Sequence, residues 1–110
     1  MKILEDYTFF TNTTSSGTSE SFKNACCGQH LILEVTGDNT VVDITVNATV
    51  KNITTTPFPV AITKLSDKTI VSTITSNGLY MVDIGGLTNI TCEIANDLTN
   101  AVNVYGKIVG

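Results

Sequence analysis

Between Val42 and Lys51 the chain alternates without a break, with Val42, Ile44, Val46, Ala48 and Val50 at one parity and Asp43, Thr45, Asn47, Thr49 and Lys51 at the other. A period of two is the signature of a β-strand with one wet face, because successive side chains point to opposite sides of a pleated backbone. No helix gathers that pattern onto a single stripe. The run therefore demands a sheet with a dry side, and the rest of the 110 residues must supply the strands that cover it.

Further alternations do supply them. Leu31, Leu33 and Val35 share a face opposite Ile32, Glu34 and Thr36, and the Gly37-Asp38-Asn39 turn that follows predicts a hairpin with the Val42 strand. Phe58, Val60 and Ile62 alternate beside Pro57 and Pro59, which places that strand at an edge, since proline cannot donate to a ladder. Lys68 to Thr75, the turn Ser76-Asn77-Gly78 and Leu79 to Ile84 read as a second hairpin, with Tyr80, Val82 and Ile84 facing inward. Ile90, Cys92 and Ile94, then Val102, Val104 and Ile108, continue the inward set, with Gly106 marking a bulge or a close backbone approach. Turn signals every 8–12 residues or so predict one all-β domain, an antiparallel β-sandwich of Ig-like or jelly-roll-like type with an N-terminal strand or arm.

The first 20 residues read differently from residues 21–110. Lys2 to Phe10 has strand character and either completes the sheet or docks on a neighbour, whereas Thr11 to Ser21 is almost entirely small and polar and reads as a tether. Met1 to Phe10 lacks the continuous apolar core of a signal peptide, so synthesis in a cytoplasm is expected.

Charge and chemistry narrow the function. Ten acidic residues oppose six basic ones, all lysine, for a net charge of −4. Nucleic-acid binding calls for the opposite balance, and no apolar run approaches the ~20 residues of a membrane helix. Three cysteines are an odd number, and Cys26 and Cys27 are adjacent, which predicts free thiols over a disulfide framework. His30 follows the Cys26-Cys27-Gly28-Gln29 stretch, but one such cluster lacks the second ligand pair of a zinc site, and no carboxylate pair or nucleophile motif accompanies it. No enzyme, metal or cofactor is expected. Four Asn-x-Thr sequences, at Asn12, Asn47, Asn52 and Asn89, are what a chain rich in both residues produces by chance.

The C-terminal half carries a resemblance. Ile70 to Thr75, the Ser76-Asn77-Gly78 turn, Leu79-Tyr80-Met81-Val82-Asp83-Ile84, Gly86-Leu87 and the closing Asn103-Val104-Tyr105-Gly106-Lys107-Ile108-Val109 resemble small β-sandwich structural proteins of tailed bacteriophages, of head-decoration or head-fibre type. The resemblance implies a virion protein that binds the outer surface of an assembled shell in many copies. Its implied partners are the major capsid protein or other virion proteins and further copies of itself, a trimer being one arrangement. The alternative is a tail, baseplate or host-surface carbohydrate-binding module. Candidate contact residues are Tyr7, Phe9 and Phe10 of the arm and the outward apolar Leu79 and Met81.

Overall fold

The computed structural model describes residues 3–24, 27–50 and 56–110. These form ten strands: β1 (Ile3–Thr13), β2 (Gly17–Thr18), β3 (His30–Gly37), β4 (Ile44–Val50), β5 (Phe58–Pro59), β6 (Ile62–Lys64), β7 (Ile70–Val71), β8 (Gly78–Asp83), β9 (Leu87–Ile94) and β10 (Val102–Val109). They are arranged as two antiparallel sheets, a six-stranded one ordered β1-β10-β3-β8-β6-β7 and a four-stranded one ordered β2-β9-β4-β5. The fold is an all-β sandwich, as the alternation predicts.

The inward parity of each long strand is the core. Leu31, Leu33 and Val35 of β3, Tyr80 and Val82 of β8, and Val102, Val104 and Ile108 of β10 meet Ile44, Val46 and Ala48 of β4 and Ile90, Cys92 and Ile94 of β9, all of them buried. Two sheets stacked about 10 Å apart, plus a layer of outward side chains on each, account for the shortest dimension of 22 Å. Gly106 is a close approach, since a Cβ there would lie 2.9 Å from both Leu31 Cδ1 and Phe9 Cε2.

Both predicted hairpins are corrected. β3 pairs with β10 and β8, whereas β4 pairs with β9 and β5 in the other sheet. Gly37, at φ +144°, redirects the chain, and a Cβ there would collide with the Ala101 carbonyl. The physical reason is that two strands with equally apolar inner faces bury more surface opposite each other than side by side. In the same way β7 pairs with β6 while β8 pairs with β3 and β6, and Ile74 crosses over to bridge Ile44. Ile70 and Ile74, which an unbroken Lys68 to Thr75 strand would put on one face, are thereby separated: Ile74 is buried and Ile70 is 73% exposed. Phe58 to Ile62 divides between the two sheets as β5 and β6, with β5 at an edge as its prolines require.

The N-terminal arm completes the six-stranded sheet by pairing with β10 from Ile3↔Val109 to Thr13↔Val102. The stretch read as a tether is also held: Gly17 and Thr18 pair with β9, Ser16 N donates to Asp97 Oδ1 at 2.8 Å, and Cys92 N donates to Ser19 Oγ at 3.0 Å. Its backbone groups find partners even though its side chains bury little, which composition alone does not reveal. The bond from Ser16 also holds the Asp97 carboxyl below its ordinary range.

Cys27 and Cys92 differ in state. Cys27 is disulfide-bonded, which corrects the expectation of free thiols at that position. Cys26 lies outside the described residues. Cys92 is free and buried, and burial pushes its thiol far above the usual range. The Cys92 peptide is expected to resist alkylation at pH 8 in the folded protein and to label fully after unfolding. Mass spectrometry of native and denatured samples checks this, and rapid native labelling would contradict the buried position.

Candidate interaction surface

The antiparallel register places residues that face each other across strands on the same side of the sheet. On the outside of the six-stranded sheet one row runs through all six strands: Asp6, Lys107, Ile32, Met81, Thr63 and Ile70. The adjacent row is Thr8, Tyr105, Glu34 and Leu79. Together they set Ile32, Met81, Leu79, Tyr105 and Ile70 into one apolar band. Ile70 is 73% exposed, Leu79 50% and Tyr105 40%. Beyond Ile70 the band runs into an apolar groove of about 300 Å3 lined by Pro59, Val60, Ala61, Ile70, Val71 and Ser72.

Charges on this face are mostly matched. Lys107 Nζ lies 3.0 Å from Asp6 Oδ1, and His30 Nδ1 lies 2.8 Å from Asp83 Oδ1. Glu34 is different: it sits between Tyr105 and Leu79 and makes no ion pair or side-chain hydrogen bond among the described residues.

The outside of the four-stranded sheet is built otherwise. Thr18, Glu93 and Thr45 form one row, and Thr91, Asn47 and Pro59 form the next. That face shows hydroxyls, an amide and a carboxylate where the other shows aliphatic and aromatic groups.

The sheet edges do not invite another strand. β2, β5 and β7 are two residues long, and β5 carries Pro59. β1 is long, but its register with β10 shifts at three places and Asn12 takes φ +47°. Short, bulged or proline-bearing edges are how sheets discourage strand addition. The two outer faces are therefore the surfaces open to contact.

The five candidate contact residues divide. Leu79 and Met81 lie in the apolar band. Phe9 is buried, and Tyr7 packs edge-on against it at 4.9 Å between ring centres and against Phe22 at 5.3 Å. Burial, with a smaller push from the Glu20 charge, raises the Tyr7 phenol above its ordinary value. Phe10 is half-buried and packs on the core. The arm's aromatic residues thus cover the end of the core. Ile32, Tyr105 and Ile70 are band members beyond the predicted set. Ile32 and Tyr105 were detectable as apolar residues at the outward parity of β3 and β10, whereas Ile70 follows only from the chain path.

A second hollow of about 300 Å3 lies at one end of the sandwich, between the Asp38–Val41 and Asp97–Asn100 loops. Its amides bind one another: Asn39 Nδ2 donates to Asn100 O, Asn100 N to Asn39 Oδ1, and Asn100 Nδ2 to Asp38 O, so they act as a clasp between loops. His30, the sole histidine, has Asp83 as its partner. Among the described residues no group of three or more His, Cys, Asp or Glu is placed to hold a metal, and no helix is long and apolar enough to cross a membrane.

Two antiparallel sheets with short or bulged edges, one apolar outer face and one polar outer face define an all-β sandwich domain. The chain belongs to the XepA family, whose model matches residues 4–108. Two solved structures share the fold. The SPBc2 prophage-derived protein YomS superposes with a TM-score of 0.84 at 23% identity, covering 96% of this chain and 92% of YomS. The PBSX exported protein XepA superposes with a TM-score of 0.88 at 22% identity over 99% of this chain. The chain spans only 38% of the length of that XepA structure. No curated protein sequence matches. The chain thus shares its family with XepA and its β-sandwich fold with both of these solved structures.

Proposed function

We propose that the chain is a virion structural protein, a capsid decoration protein that binds the outer surface of the assembled shell in many copies. The observation that carries this reading is the apolar band on one face of a module whose other outer face is polar. Such asymmetry suits a protein that sits on a surface with one side down and the other in solvent. Its partners on this reading are the major capsid protein or other virion proteins, together with neighbouring copies of itself. Repetition on a lattice lets a modest single contact suffice, because each further contact is made at high effective concentration. The role is binding and not catalysis.

One observation favours a second reading. The XepA structure of the same family is that of an exported protein, which suits action at a host surface by a tail, baseplate or carbohydrate-binding module. Quantitative mass spectrometry of purified particles, with heads and tails separated, distinguishes the two. Decoration predicts hundreds of copies in the head fraction; a few copies in the tail fraction favour adsorption, and absence from both rejects a virion role.

A further inference from the structure

We infer that the outer face of the six-stranded sheet docks on a protein surface that presents a lysine or arginine within an apolar surround, and that Glu34 receives it. The inference rests on the virion reading above and gives that contact its chemistry. Glu34 is exposed, with Tyr105 and Leu79 directly beside it in the register, and it is the carboxylate of the two central rows without a partner. Covering the apolar band removes water from this carboxylate. An ionised group desolvated without a counter-charge is strongly disfavoured, so a neutral or acidic partner surface would be repelled.

The same argument excludes a second copy of the chain as the occupant. In a face-to-face pair each Glu34 needs a cation from the opposing face, where among the described residues of the two central rows the lysine is Lys107, already bonded to Asp6 at 3.0 Å. The size of the face suits a stable complex. The six strands run from two to 11 residues and average about six, so at a spacing of about 4.8 Å they give roughly 600 Å2, the lower end of the ~600–1,000 Å2 per partner of an ordinary specific interface.

The test is cosedimentation of the purified chain with purified particles of the source phage over a range of salt concentrations. Wild-type binding is expected to weaken as salt rises. Glu34→Gln is expected to weaken binding about tenfold and flatten that salt dependence, and Glu34→Lys to weaken it about 100-fold or more. Leu79→Asp is expected to abolish binding, whereas Glu93→Lys, on the opposite face, stays within about threefold of wild type. All three positions are exposed, so melting curves of the four variants should coincide with wild type and exclude misfolding. Particle binding unaffected by Glu34→Lys and Leu79→Asp would overturn the inference while leaving the virion reading intact. Absence of wild-type binding would instead reject the virion reading and the inference with it. A wild-type dimer in sedimentation equilibrium that Leu79→Asp dissociates would assign the face to a second copy and overturn the inference on its own.

Discussion

Replacing Asn24 with leucine is expected to destabilise the fold by about 2 kcal/mol, although the residue belongs to no strand and touches no predicted site. Its side chain is only 3% exposed, and its Nδ2 donates to Gly28 O at 3.1 Å and to Ile84 O at 3.0 Å. The first bond closes the loop before β3 on itself, and the second ties that loop to the residue after β8. Leucine fills a similar volume but leaves the buried Gly28 carbonyl without its amide donor and Ile84 O with Leu87 N alone, at about 1–3 kcal/mol in all. Against the ~5–15 kcal/mol that holds a typical domain together, this is a large share. Urea unfolding measures it; a loss below about 1 kcal/mol would mean that water replaces the amide.

Leu33→Ala should have an effect of similar size by a different route. Leu33 is fully buried at the centre of β3, opposite Tyr80 on one side and Gly106 on the other. Truncating a buried leucine removes its transfer free energy and leaves a cavity, at about 2–5 kcal/mol in all. Leu79→Ala provides the comparison. It removes the same atoms from a half-exposed outward position and is expected to stay within about 0.5 kcal/mol of wild type. Thermal unfolding of both variants checks the inward and outward assignment of the sheet. Equal losses would mean that the outward face is covered in the isolated protein.

Inward and outward parity was legible from the sequence because it is local: Leu31, Leu33 and Val35, or Ile90, Cys92 and Ile94, announce their shared face within five residues. Sheet membership was not legible, because it depends on where the chain crosses between layers. Nothing in Gly37-Asp38-Asn39 distinguishes a tight hairpin from a crossover, and only the competing pairings of β3 with β10 and of β4 with β9 decide it. The candidate site was half legible for the same reason. Leu79 and Met81 stand out as apolar residues at an outward parity, but their neighbours in the band come from β3, β10 and β7, brought alongside by pairings that local alternation does not encode. For Phe9 and Tyr7 the limit is the same, since aromatic residues in a polar N-terminal stretch do not say locally what they pack on, and it is the long β1–β10 ladder that brings them against the core. Asn24 gave no signal, because a buried asparagine and a solvated one read alike.

The pairing of Ile3 with Val109 has a consequence for how such a module can be used in protein architecture. Opposed residues in an antiparallel ladder lie about 5 Å apart, so the chain enters and leaves the sandwich at one corner. A unit of that kind can be spliced into a loop of another polypeptide, or strung in series with others, without rerouting the host backbone. Its outer faces stay at a fixed orientation to the point of attachment in every such arrangement.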